Sequence, residues 1–123
     1  MAVGSKKILV VDDDEDIREV MTMILETDGY TVFALDNGHE VLKAIQDNRP
    51  DVLLSDVRLG DMDGRDICRE LKDNPTTRGI PISFVSATHG WHTMHEKKCG
   101  ANDYVAKPFD VEDLLLHVRR LAA

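Results

Sequence analysis

Asp56 stands where an apolar run, Val52-Leu53-Leu54-Ser55, stops and the turn residues that lead to Asp63-Gly64 begin. A run too short for an ordinary helix that ends on a single carboxylate is how a buried strand presents a reactive group. Three other places repeat the pattern. Ile8-Leu9-Val10-Val11 ends in Asp12 and Asp13, Ile82 to Val85 leads to Ser86-Ala87, and a short run from Asp103 to Ala106 ends in Lys107-Pro108. Taken alone, Asp12 to Asp16 reads as an N-cap with acidic residues favourably placed at a helix start. Carboxylates at two different strand ends change the balance, because like charges gathered in one crevice are costly without a cation.

The elements that must position these residues follow from periodicity. Lys7 to Val11 is a continuous β-branched and leucine run, the pattern of a strand covered on both faces. Ile17, Val20, Met21, Ile24 and Leu25 then recur at helical spacing until Asp28-Gly29. A strand over Tyr30 to Leu35 and a helix carrying Val41, Leu42 and Ile45 follow, and Pro50 closes that helix. The third strand is Val52 to Ser55, and Ile67, Cys68 and Leu71 mark the next helix. Pro81 introduces a fourth strand, Ile82 to Val85, as proline is tolerated at a strand start. A weakly patterned helix spans Gly90 to Cys99, the fifth strand is Asp103 to Ala106, and Leu114, Leu115, Val118 and Leu121 line a final helix.

Strands alternating with helices across short loops imply right-handed crossovers and a parallel sheet covered on both faces, an α/β doubly wound fold of five strands and five helices. In such a sheet the carboxyl ends of the strands open into one crevice. We expect one domain over residues 1–123, with no repeat, linker or low-complexity tract.

Composition narrows the function classes. With 42% hydrophobic and 31% charged residues the chain has the make-up of a globular protein, and no apolar stretch approaches the roughly 20 residues of a membrane span. No secretion signal precedes the first strand, so a cytoplasmic protein is expected. A net charge of -8 argues against binding nucleic acid or anionic membrane through bulk charge, which leaves other proteins as partners. Cys68 and Cys99 lack metal-knuckle or Cys-x-x-Cys spacing and read as reduced, partly buried thiols. Asp12-x-Asp14-x-Asp16 begins like a calcium loop, but Ile17 fills the position where such a loop needs glycine.

The set Ile8-Leu9-Val10-Val11-Asp12-Asp13, Asp56 with Asp63-Gly64, Ser86-Ala87, and Gly100-Ala101-Asn102-Asp103-Tyr104-Val105-Ala106-Lys107-Pro108-Phe109 resembles the receiver domain of two-component response regulators, in order and over essentially the full chain. The resemblance implies the flavodoxin-like strand order 2-1-3-4-5, which periodicity does not reveal. It implies that Asp56 accepts a phosphoryl group from a sensor histidine kinase or phosphotransfer protein by covalent catalysis. Asp13, Asp56 and the backbone carbonyl of Arg58 would bind Mg²⁺, with Asp12 assisting through water. Three carboxylates, a divalent cation and Lys107 then sum formally to zero charge.

Lys107 would supply a compact positive charge, and Ser86 a hydroxyl, to the phosphate oxygens. Outside the resemblance, the bland reading of Lys107 is a solvated lysine, against which its position directly after a strand and before Pro108 counts, while Ser86 reads as a strand-end hydroxyl bonded to backbone. In the family the bond before Pro108 is cis, a form that a proline bond tolerates. Tyr104 matches the switch aromatic and also reads as a half-buried strand tyrosine. Phosphorylation would then shift the face built from the fourth helix, fifth strand and fifth helix. A downstream protein or a fused effector would read that face, and a phosphorylation-dependent homodimer stays open.

The chain departs from the family at Arg58 and Gly60, the latter where relatives often carry proline. Arg58 reaches over the phosphoryl group and slows its hydrolysis, or points to solvent; both readings stand. His89, His92 and His95 around Trp91 have no acidic or cysteine partner to complete a metal site and read as a solvated or partner-facing surface. The competing function is a receiver-like docking module that works without phosphorylation. An aspartyl phosphatase is disfavoured because no second aspartate follows Asp56 by two residues. Whether the chain stands alone or belongs to a longer regulator is also open.

Overall fold

The computed structural model describes residues 5–87 and 99–123. Five parallel strands form one sheet: β1 (Lys7–Val11), β2 (Thr31–Leu35), β3 (Val52–Ser55), β4 (Ile82–Ser86) and β5 (Asp103–Ala106). Their spatial order is β2-β1-β3-β4-β5, the order that the resemblance implied. Four helices are described: α1 (Glu15–Thr27), α2 (Val41–Asn48), α3 (Gly64–Asp73) and α4 (Val111–Ala122). The weak helix expected over Gly90 to Cys99, with His89, Trp91, His92 and His95 around it, falls on residues outside those described, apart from Cys99.

Alternate side chains of a strand point to opposite faces, and both faces of this sheet are covered. Ile8 and Val10 of β1 join Leu54, Val85 and Val105 in a core closed by Met21 and Leu25 of α1 and Leu114 and Val118 of α4. Leu9 and Val11 face the other way, into a core with Leu53, Phe84, Ile45 of α2, and Ile67 and Leu71 of α3. Complete burial of each such side chain contributes about 1.5–3 kcal/mol, and this explains why β1 and β3 carry no alternation of polar residues.

Local signals set the helix ends. The Asp14 carboxylate accepts from the backbone N–H groups of Asp16 and Ile17, capping α1. After α1 the chain turns at Gly29, whose φ of 97° suits a residue without Cβ. Arg119 of α4 then bridges to Asp28 at 2.8 Å, tying α4 to the end of α1.

The structure differs from the periodicity in a few places. Tyr30 precedes β2, and β4 extends to Ser86 because Ser86 pairs in register with Ala106. Val20 is exposed, since Met21 and Leu25 centre the buried stripe of α1 and leave it at the margin; Leu42 is likewise exposed on α2. A two-residue antiparallel hairpin, Arg58–Leu59 with Met62–Asp63, is too short to show a period; it turns at Gly60, which has φ 64°. Under α4, Asp103 accepts from His117 Nδ1 at 2.5 Å and from the buried Ser83 hydroxyl at 3.4 Å. Among the described residues, no helix is long and apolar enough to cross a membrane.

Candidate functional site

At the carboxyl ends of β1, β3 and β5 the sheet gathers Asp12, Asp13, Asp56 and Lys107. Each strand delivers its residue because its own apolar run ends there. Backbone pairing continues one residue past β1 and β3: Asp12 N–H donates to the Leu35 carbonyl and Asp56 N–H to the Val11 carbonyl. Oxygens of Asp12, Asp13 and Asp56 all lie within 4.8 Å of one another. Asp12 is buried, Asp56 half-buried and Asp13 exposed, so the cluster opens to solvent on the Asp13 side.

Lys107 is the cation of this cluster. Its Nζ donates to Asp12 Oδ2 at 2.7 Å and to Asp56 Oδ2 at 2.8 Å. The Lys107–Pro108 peptide is cis, as expected from the resemblance. Burial works to lower the Lys107 pKa, but the hydrogen bonds and charges of Asp12 and Asp56 outweigh it, and the net shift is upward. Asp12 also titrates above its ordinary value; burial is the chief cause, and the bonds from Lys107 and the Asp14 N–H oppose it without cancelling it. The site therefore disfavours the charged form of Asp12 relative to water.

Several groups fix the backbone around Asp56. The Ser55 hydroxyl donates to the Asp56 carbonyl at 2.8 Å. The Arg58 N–H approaches Asp56 Oδ1 at 3.3 Å, while Arg58 itself is exposed at the start of the hairpin. Gly64 packs against this segment so closely that a Cβ there would lie 2.3 Å from the Asp56 carbonyl oxygen. Arg18, one turn into α1, donates to the Asp12 carbonyl at 2.9 Å. Ser55 and Arg18 carry no sequence signal, because their partners depend on tertiary packing. Gly64 is visible in the sequence only as part of the Asp63-Gly64 pair.

Ser86 is buried at the end of β4, the strand beside β3. Its carbonyl accepts from the Lys107 N–H at 3.0 Å and from the Tyr104 hydroxyl at 2.8 Å. Ser86, Tyr104 and Lys107 are therefore linked through one peptide group. The structure brings every site residue expected from sequence to the same end of the sheet: Asp12, Asp13, Asp56 and Lys107 in one cluster, the Arg58 backbone at Asp56, and Ser86 on the neighbouring strand.

Chemically, this is a pocket of hard oxygen donors with one compensating ammonium. Three carboxylates and one lysine leave a formal deficit of two positive charges, and an oxygen-rich donor set of this kind suits a small divalent cation. A half-buried carboxylate beside a fixed ammonium is also an arrangement compatible with phosphoryl transfer, where positioning and charge neutralisation supply most of the rate.

Comparisons with known proteins agree with this geometry. The family model described as the response regulator receiver domain matches residues 8–119. The DNA-binding response regulator MtrA of Mycolicibacterium smegmatis is 36% identical over 115 residues, which cover 93% of this chain and 49% of that protein. The chain thus spans about half the length of the curated relatives it matches. The chemotaxis response regulator CheY4 of Vibrio cholerae superposes with a TM-score of 0.87 at 30% identity, covering 95% of this chain and 98% of that one. The receiver domain of the sensor histidine kinase PA1611 of Pseudomonas aeruginosa, with a magnesium ion coordinated in its active site cleft, superposes with a TM-score of 0.87 at 29% identity, covering 96% and 98%. With sequence, sheet order and site in agreement, the chain belongs to the response regulator receiver domain family of two-component signalling.

Proposed function

We propose that residues 1–123 act as one receiver unit in which Asp56 accepts a phosphoryl group from a phosphohistidine on a sensor kinase or phosphotransfer protein in the cytoplasm. The observation that carries this reading is the contact of Asp56 with Lys107 inside a three-carboxylate cluster. An Asp56 carboxylate oxygen attacks phosphorus, the bond to the donor imidazole breaks, and an acyl phosphate forms. Lys107 exchanges its bond to Asp56 for one to a phosphoryl oxygen, and the Ser86 hydroxyl donates to another. Mg²⁺, when bound, would supply positive charge to offset the negative charge of the incoming phosphoryl group. Asp13, Asp56 and the Arg58 carbonyl would hold it, with Asp12 acting through water; few protein ligands and several retained waters are what this hard ion prefers.

Re-aiming of Ser86 and Lys107 would reach Tyr104, because the Ser86 carbonyl receives bonds from both Lys107 and Tyr104. The face carrying Tyr104, β5 and α4 would then present the signal to a downstream protein or a fused effector. Incubation with Mg²⁺ and acetyl phosphate tests the acceptor. We expect one acid-labile phosphate on the wild type and none on Asp56→Asn. An unlabelled wild type, or equal labelling of the variant, would sink the reading and leave a phosphorylation-independent docking module.

A further inference from the structure

Cys68 and Cys99, two thiols that nothing in the sequence relates, meet beside α3. Cys68 belongs to the core on the α2 and α3 face, and the half-buried Cys99 packs against that same core. The Cys68 thiol donates to the Cys99 carbonyl oxygen at 3.5 Å, which brings the two residues into direct contact. Arg65 and Arg69 of α3 add positive potential at Cys99.

This asymmetry separates two roles. Cys68 is buried and Cys99 half-buried, so Cys99 is the thiol a small oxidant can reach. Hydrogen bonding from Cys68, ahead of the Ala101 N–H and the two arginines, lowers the Cys99 pKa and favours its thiolate. Cys68 shifts upward, because it keeps the proton it shares with Cys99 and is buried. A partly accessible thiolate with a second thiol in contact is the arrangement of a redox-responsive cysteine.

We propose that Cys99 and Cys68 form a hydroperoxide-responsive pair that closes an intrachain disulfide. The Cys99 thiolate attacks one peroxide oxygen, the O–O bond breaks, and hydroxide leaves; sulfur is oxidised to sulfenic acid while the peroxide takes up two electrons. The Cys68 sulfur then attacks the Cys99 sulfur, the S–O bond breaks, and the leaving hydroxide departs with the Cys68 thiol proton as water. The resulting bond joins α3 to the residue that leads through Gly100 into β5, and the loop it closes includes Ser86. Oxidation would therefore constrain the same stretch of chain that carries the phosphorylation response.

The test is to treat the fully reduced chain with stoichiometric hydrogen peroxide. We expect loss of both thiols, a mass decrease of two hydrogens, a Cys68–Cys99 linked peptide in the digest, and recovery of both thiols with dithiothreitol. Cys68→Ser should accumulate a Cys99 sulfenic acid that dimedone traps, and Cys99→Ser should slow oxidation of Cys68 by at least about tenfold. On the wild type, which needs no variant to fold, iodoacetamide at neutral pH should label Cys99 well before Cys68. Peroxide-resistant thiols, a disulfide between two chains, or equal alkylation rates would overturn the proposal.

Discussion

Lys107 Nζ lies 2.8 Å from Asp56 Oδ2, so the carboxylate proposed to receive the phosphoryl group already has a cation fixed beside it. The same ammonium holds Asp12 at 2.7 Å, and its side chain is only 13% exposed. Replacing Lys107 with methionine leaves two carboxylates in the crevice without their shared partner. We expect Lys107→Met to lose about 1–3 kcal/mol of stability in metal-free buffer, measured by urea unfolding. Its Mg²⁺ affinity, measured by calorimetry, should rise, because the site becomes one charge more negative. An unchanged Mg²⁺ affinity would show that Lys107 does not compensate the metal-binding carboxylates.

Asp12 gives a prediction of opposite sign. Folding raises its pKa, so the folded state holds that proton more tightly than the unfolded chain does. Its unfavourable contribution is fully present above the folded pKa and is relieved as pH falls through it. Lys107, also raised, contributes stability that is present below its ordinary value of 10.5 and is lost as pH climbs through the folded value. Asp12→Asn should therefore raise the metal-free Tm at neutral pH, by roughly 2–8 °C per kcal/mol for a domain between the small and medium size classes. That advantage over the wild type should shrink as the pH is lowered. A lower Tm at neutral pH would show that the bonds from Lys107 and Asp14 outweigh the burial of Asp12.

How much of this is legible in the sequence follows from the range of each signal. The five strands and described helices can be read because burial on both faces writes continuous apolar runs, as in Ile8 to Val11, and one-sided burial writes the stripe of Met21 and Leu25. The ends of those runs also reveal the candidate residues Asp12, Asp56 and Lys107. Strand order comes from the family resemblance, since periodicity says nothing about which strands are neighbours. The hairpin at Arg58–Asp63 is too short for any period. The contact of Cys68 with Cys99 joins residues 31 positions apart, and only the packing of the chain near Gly100 against α3 creates it. Tyr104 is recognisable as a residue, but its bond to the Ser86 carbonyl depends on how β4 and β5 pack.

Gly64 tests how tightly the acceptor loop is built. An added Cβ would meet the Asp56 carbonyl oxygen at 2.3 Å, the Ser55 hydroxyl at 3.1 Å and the Phe84 ring at 3.3 Å. The first contact is with backbone, which cannot rotate away as a flexible side chain can. Gly64→Ala should thus cost about 1–3 kcal/mol and should slow labelling by acetyl phosphate by displacing the Asp56 segment. Wild-type stability and labelling rate in this variant would mean that the loop has slack.

Arg58 offers a test of timing. Its backbone N–H is held near Asp56 while its side chain starts from an exposed position on the hairpin, two residues beyond the acceptor. From there a long guanidinium can fold back over an acyl phosphate, donate to its oxygens and obstruct the line of approach that water needs. Arg58→Asn keeps a polar side chain but removes the reach and the charge. We expect it to leave the yield of phosphorylation unchanged and to shorten the lifetime of the acyl phosphate severalfold, followed by loss of label after the donor is removed. Equal lifetimes would assign Arg58 to solvent and leave hydrolysis to be set by the pocket residues alone.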